Sequence, residues 1–316
     1  MPAAPPVLLA WCTVVVVWST TPLFLHFSTL AFSPALAGGL RMALAALLLL
    51  GVLAVTRRML PSGGRAWTLW LAMLPGVFGS MYCSYLAAQR IPTGLISVIF
   101  GLSPVLSALL ARRWLAEPAL GPVRAFAAAV SLAGLLLIAG GEALSARSLD
   151  PAGVLLVCLA VLLFSASGVA VKKLGAGMDP FVQTTGALLL SLPLYALAWL
   201  AEGLPLPQTG STDYPLALGA ILYLAVAGSV LGFVCYYHVL QRMPAANAAL
   251  TTVVTPVFAL VLGSGLNDEH LTAGMLAGAL LVLAGVAGFL FPPAWRLPVR
   301  RLPRGSGRPA LTEADK

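Results

Sequence analysis

Ten apolar runs, divided by short breaks, take up most of this chain. They cover 7–27, 34–56, 67–88, 92–111, 122–140, 151–171, 181–201, 215–238, 245–265 and 271–291. Each is close to the roughly 20 residues a helix needs to cross the hydrocarbon core of a bilayer. The breaks carry Pro, Gly or charge: Ser33-Pro34, Arg57 to Gly64, Glu117-Pro118, Asp150-Pro151, Asp179-Pro180, Gly203 to Pro215 and Asn267-Asp268-Glu269. In lipid every backbone N–H and C=O must be bonded within the protein, so a spanning segment is a helix or a strand of a closed barrel. Barrel strands read as shorter segments of alternating polarity. These runs are long and uniformly apolar, so the expected fold is an all-α integral membrane protein with ten transmembrane helices.

Charge supports this and sets an orientation. Only 9% of residues are charged and mean hydropathy is +0.97, against about a quarter charged in a soluble domain. The net charge of +8 raises a nucleic-acid partner, but the positions of the cations argue against one. Fifteen of the eighteen Lys and Arg fall on one side: Arg57, Arg58, Arg65, Arg112, Arg113, Arg124, Lys172, Lys173, Arg242 and, in the tail, Arg296, Arg300, Arg301, Arg304, Arg308 and Lys316. Arg90 and Arg147 fall on the other side, and Arg41 lies within the second run. Cytoplasmic loops carry the excess of Lys and Arg, so both termini are expected in the cytoplasm, and the basic, Pro-rich segment 292–316 is expected to be disordered. Met1 to Pro6 hold no Lys or Arg, and no small-residue cleavage site follows the first run. That run is read as a retained helix.

Cys12, Cys83, Cys158 and Cys235 all sit in apolar runs, with no CxxC pair and no His at ligand spacing. They are read as packing residues. No metal and no cofactor is expected.

The chain repeats itself. Gln89-Arg90-Ile91-Pro92 recurs as Gln241-Arg242-Met243-Pro244, an offset of 152. At that offset Gly76 matches Gly228, Cys83 matches Cys235, Tyr85 matches Tyr237, Pro104-Val105 matches Pro256-Val257, and Glu117 matches Glu269. A weaker match at 146 pairs Cys12 with Cys158, Ser19 with Ser165 and Pro34 with Pro180. Two five-helix repeats follow, 7–140 and 151–291. Five is odd, so the second repeat enters the membrane the other way up. Inverted repeats recur in secondary transporters, where the site lies at the repeat interface.

The stretches YLAAQRIPTGLISVIFGLSPVLSALLARRWLAEPALG and YHVLQRMPAANAALTTVVTPVFALVLGSGLNDEHLTAG resemble the EamA family of the drug/metabolite transporter superfamily. So do Trp18-Ser19, Pro34 and Arg41. The resemblance implies a ten-helix bundle with a central cavity lined by helices 1, 3, 4, 6, 8 and 9, with helices 5 and 10 peripheral. It also implies export of amino acids or other metabolites.

Several residues then have both a cavity reading and a packing reading. Trp18 and Ser19 match Phe164 and Ser165 in position, and Trp18 can stack on a substrate or simply pack. Ser97, Asn247, Thr251 and Thr252 can supply hydrogen bonds to a substrate or bond between helices, and Phe100 is a further cavity candidate. Tyr82, Tyr85, Tyr236, Tyr237 and His238 can face the cavity or form the interfacial aromatic belt. Pro104 and Pro256 are expected inside their helices, releasing the carbonyls of Phe100 and Thr252, to shape a gate or only to kink. Arg41 can hold an anionic group or snorkel to the outer interface. Its place about two turns into the helix favours snorkelling. Gly274 and Gly278 form a GxxxG pair, read as packing within the bundle, with a dimer face as the alternative. A monomer is therefore expected.

No Asp or Glu lies in the middle of a run. The small multidrug exporters, distant relatives through the same resemblance, use a Glu in helix 1, where this chain reads Val14-Val15-Val16-Val17. Carboxylate-based proton coupling is not expected, and His238 remains the candidate switch. HExxH, GxSxG and an in-span Asp pair are absent from the sequence, so no catalytic residue is assigned and an enzyme is not expected. The expected function is transport of a small polar or amphipathic metabolite, such as an amino acid, across an inner membrane. The alternative is a non-transporting or lipid-handling membrane partner. The expected partners are that solute and the bilayer.

Overall fold

A computed structural model describes residues 5–91, 93–117, 121–143, 150–175, 177–266 and 273–290. Among these every regular element is helical. Helices α1 (Pro5–Ser28) and α2 (Pro34–Val55) are unbroken. The third apolar run folds as α3 (Gly64–Leu74), a π-helical segment Pro75–Ser80, and α4 (Met81–Ala88). The fourth divides into α5 (Thr93–Phe100) and α6 (Ser103–Leu115), and α7 is Pro122–Ala143. The second half repeats the plan: α8 (Pro151–Leu174), α9 (Pro180–Ala201), then α10 (Tyr214–Tyr223), a π-helical segment Leu224–Leu231 and α11 (Gly232–Arg242). It ends with α12 (Ala245–Ala249), α13 (Thr251–Leu266) and α14 (Ala273–Leu290). Among the described residues, seven helical stretches are long and apolar enough to cross a membrane, and Pro122–Leu137, Ala245–Phe258 and Leu276–Leu290 are shorter apolar helices. Pro92, Pro118, Arg147, the turn at 267–269 and the tail 292–316 lie outside the described residues.

The predicted breaks act as helix starts. Ser33, Asp150 and Asp179 each accept a backbone N–H of the following first turn, from Leu36, Ala152 and Phe181. The next residue is proline each time, whose missing N–H costs nothing there. Arg90 donates to Asp150 at 3.0 Å; with the Ala152 N–H, it holds that carboxyl below the usual carboxylate range.

The outer surface is made of large apolar side chains. Leu9, Leu47, Phe126, Leu155 and Leu280 are each about two-thirds exposed or more. A water-facing surface rarely presents so much contiguous apolar area. This is a lipid-facing surface of a multi-span membrane protein.

Side-chain ties define two ends. At the basic end, Arg58 pairs with Asp179 at 2.7 Å and Lys172 with Glu117 at 3.2 Å. Lys172 also donates to the Met243 carbonyl. Gln241 donates to Met178 O and to Gln183 Oε1, both at 2.9 Å. At the opposite end, Glu202 accepts from Ala35 N and from Tyr82 OH, both at 3.1 Å.

The π-helical segments fall in the same part of each repeat, around Gly76 and Gly228. Such segments widen a helix locally and are frequent at functional sites. The pair α7 and α14 packs closely at one side. A Cβ at Gly134 would stand 2.5 Å from Gly278 O, and one at Gly285 would stand 2.2 Å from Ser131 Oγ. Gly278 of the GxxxG pair thus faces α7, and Gly274 is exposed.

One expectation is corrected. Pro104 does not lie in the interior of a helix. The fourth run breaks at Gly101-Leu102, and Pro104 takes the second position of α6. There its absent N–H breaks no bond, so the chain restarts the helix instead of kinking it. Pro256 does lie within α13.

Candidate substrate cavity

Tracing the helices from the basic end, α1 buries a stripe at helical spacing. Trp18, Thr21, Pro22 and Leu25 point into a cavity of ≈ 610 Å³. Met81 and Ser84 of α4, and Ile96, Ser97 and Phe100 of α5, form one wall. Thr252 and Thr255 of α13 form another, and Arg41 of α2 completes the ring. Phe164 of α8 and Phe233 of α11 close the side toward the basic end, and they also line a second cavity of ≈ 240 Å³ with Ser167, Tyr236 and Tyr237. A wall of rings therefore separates the two spaces. Trp18 lies 5.9 Å from Phe164, 6.2 Å from Phe233 and 5.0 Å from Tyr236, centroid to centroid. Phe164 lies 6.0 Å from Phe100. Edge-on and tilted geometries at these separations are favourable for aromatic pairs.

Glycine sets the position of the Trp18 ring. A Cβ at Gly232 would meet its Nε1 at 2.5 Å. The indole N–H points to the Gly228 carbonyl at 3.4 Å, within the second π-helical segment.

The broken fourth span joins the two repeats. Thr252 Oγ1 lies 3.0 Å from the Phe100 carbonyl and 2.9 Å from the Ala249 carbonyl, and it can donate to either. Ser103 Oγ sits 2.6 Å from the same hydroxyl. The carbonyl freed ahead of Pro104 is thus bonded by a side chain from the matching span of the other repeat. Thr252→Val keeps the shape and removes this bond. It is expected to cost about 0.6–2 kcal/mol, the range of interhelical bonds in membrane proteins, while Thr252→Ser costs less. Thermal unfolding of the purified protein in detergent checks this.

Trp18, Ser97, Phe100, Phe164 and Thr252 come together at the first cavity, and Ser167, Tyr236 and Tyr237 at the second. The other sequence candidates lie elsewhere. Ser19 bonds back to Val16 O at 2.6 Å. Ser165 reaches the Ser103 carbonyl at 3.4 Å, and Thr251 bonds Ala248 O at 3.0 Å. Tyr82 stacks on Phe78 at 5.7 Å and donates to Glu202. Tyr85 is fully buried in a cluster with Leu25, Phe32 and Leu224. His238 accepts at Nδ1 from Arg242 at 3.1 Å, and Asn247 is half-buried away from both spaces.

Thr21, Pro22 and Leu25 were legible as the i+3, i+4 and i+7 neighbours of Trp18. The snorkelling reading of Arg41 is overturned: the residue is 1% exposed and lines the cavity. Depth along a helix says how far an interface is. The face on which a side chain projects decides whether it turns toward lipid or inward.

The EamA-like transporter family profile matches residues 5–140 and again residues 151–291. This chain belongs to the EamA-like transporter family. Among relatives of the family, "Protein PecM" of Dickeya dadantii (strain 3937) is 30% identical over 278 residues, covering 85% of this chain and 87% of PecM. The "Uncharacterized inner membrane transporter YedA" of Escherichia coli (strain K12) is 24% identical over 289 residues, 88% of this chain and 90% of YedA. A "Probable terminal-alkyne amino-acid exporter" of Streptantibioticus cattleyicolor (strain ATCC 35852 / DSM 46488 / JCM 4925 / NBRC 14057 / NRRL 8057) is 27% identical over 199 residues, 62% of this chain and 64% of that protein. A solved crystal structure shares the fold, with TM-score 0.74 at 19% identity over 90% of this chain and 96% of the other. The family's double match falls on the same two halves as the repeat in the sequence.

Proposed function

We propose that the chain is a carrier of a small polar or amphipathic metabolite, an amino acid being the leading class. It would act by alternating access, with ten spans, both termini cytoplasmic, in a bacterial-type inner membrane and as a monomer. One observation carries the reading: two cavities share the rings of Phe164 and Phe233 as lining, and these pack with Trp18 and Tyr236 in a cluster drawn from both repeats. Trp18 comes from the first repeat; Phe164, Phe233 and Tyr236 come from the second. A solute held in one cavity reaches the other only if the repeats shift against each other. The relative named a probable terminal-alkyne amino-acid exporter supports the substrate class.

Transport is expected to be uncoupled from protons. Among the described residues, Asp150, Asp179 and Asp213 stand at helix starts, Glu202 caps α9, Glu117 follows α6, and Glu142 lies in the last turn of α7. None stands in the middle of a span to exchange a proton during the cycle. The gradient of the solute then sets direction.

Liposomes holding the purified protein and a metabolite pool, read by mass spectrometry against empty liposomes, test this. The expected result is protein-dependent flux of one solute class, unchanged by an imposed pH gradient. Gradient-driven accumulation would refute the uncoupled mechanism. Absence of flux with folded protein would refute transport.

A further inference from the structure

Among the described residues, Arg41 is the one cation that lines the cavity. Its side chain is 1% exposed. Nε donates to Ser229 Oγ at 2.8 Å, and Gly228 leaves room for the guanidinium, since a Cβ there would stand 3.1 Å from Nη2. Nη1 has no protein partner among the described residues. None of the ion pairs among those residues includes Arg41. A neutral serine satisfies one of its five donors and none of its charge. An unpaired buried charge costs several kcal/mol, and in a membrane interior such residues face a cavity and hold ions or substrates.

We propose that Arg41 binds the carboxylate of the transported solute, so that the substrate class is amphipathic carboxylic acids, free amino acids among them. This rests on the carrier reading above and adds the chemical group recognised. A planar guanidinium presents paired N–H groups that match a carboxylate. The single cation balances a single negative charge, so a carboxylate fits better than a doubly charged phosphate, which would call for further cations. The rest of the lining suits the other end of such a molecule. The rings of Trp18, Phe100, Phe164 and Phe233 offer an apolar bed, and the hydroxyl oxygens of Ser84 and Thr255, whose protons go to Ser80 O and Thr251 O, can accept from an N–H of the solute.

The test uses the full chain in liposomes, with the protein amino acids, their amides and their decarboxylated amines as probes. The wild type is expected to move acids and to leave amides and amines near background. Arg41→Gln is expected to lower acid flux tenfold or more, Arg41→Lys by less, and Ser229→Ala to raise KM for acids with a smaller change in kcat. Equal flux of acids and amides, or equal loss of every solute in Arg41→Gln, would overturn the proposal, because a structural arginine has no preference among solutes. Where the folded wild type moves nothing, the carrier reading fails and binding decides the site. Thermal stabilisation in detergent by the acids alone, abolished in Arg41→Gln, upholds it. Stabilisation by none of them, or by acids and amides alike, overturns it. A melting curve and a monodisperse elution profile of each variant separate loss of recognition from loss of fold.

Discussion

Gly285→Val will separate α7 from α14 and cost the protein more stability than any other single substitution considered. The reason is what the new side chain would meet. A Cβ at Gly285 would stand 2.6 Å from Ala127 O and 2.7 Å from Ser131 N, as well as 2.2 Å from Ser131 Oγ. Two of those three atoms are backbone and cannot rotate away. Opposite Gly134 the obstacles are again mostly backbone, Gly278 O at 2.5 Å and Val282 N at 2.8 Å. Overpacking a well-filled interior typically costs about 1–3 kcal/mol, and here the relief requires moving a whole helix, so the upper end is expected. Between helices in lipid there is no hydrophobic drive to restore contact, because lipid tails are as apolar as leucine. Small residues and close backbone approach are what hold such a pair. The measurement is the melting temperature in detergent, together with the folded yield. Gly51→Ala is the control: a Cβ there meets nothing within 4 Å, and alanine in a helix is favoured over glycine by roughly 0.5–1 kcal/mol. A Gly285→Val protein that melts with the wild type would mean that α7 and α14 do not approach this closely.

The same contrast explains what could be read from the chain unaided. Span positions were legible because an apolar run and a capped proline are local properties. Ser33-Pro34, Asp150-Pro151 and Asp179-Pro180 mark helix starts by side-chain chemistry within four residues, and the structure uses all three in that way. The break at Gly101-Leu102 was not legible. A proline three residues later is equally compatible with a kink or a restart, and the choice depends on Thr252, about 150 residues along the chain, which bonds the Phe100 carbonyl. Arg41 shows the same limit more sharply. Its burial depends on Ser229 and on the missing side chain of Gly228, neither of which is near it in sequence. Trp18 and Phe164 were legible as candidates because they hold matched positions of the repeat, and Ser97 because a hydroxyl in an apolar run can bond a substrate. Tyr85, which has the same credentials, packs into a separate cluster.

Holding the basic end shut will stop flux altogether. Lys172 of α8 and Glu117 at the end of α6 meet at 3.2 Å, with side chains 21% and 25% exposed. They come from different repeats, and both their spans contribute to the cavity, through Phe164 and Phe100. Their ion pair is worth little by itself, because in a largely buried pair the cost of desolvation offsets much of the attraction. That weakness suits a contact that forms and parts in each cycle. Replacing both residues by cysteine, in a chain whose Cys12, Cys83, Cys158 and Cys235 are alanine, places two reactive thiols at the contact. A short, thiol-cleavable bis-maleimide should then bring flux down to that of empty liposomes, and reductant should restore it. Each single-cysteine variant, treated in the same way, should keep its flux. If the cross-linked double variant carries solute as fast as before, the spans do not need to part there, and exchange of the two cavities by movement of the repeats is wrong. Full loss and full recovery would instead make this contact a gate. The ring wall of Trp18, Phe164, Phe233 and Tyr236, one layer deeper, would then be the next barrier the solute must pass.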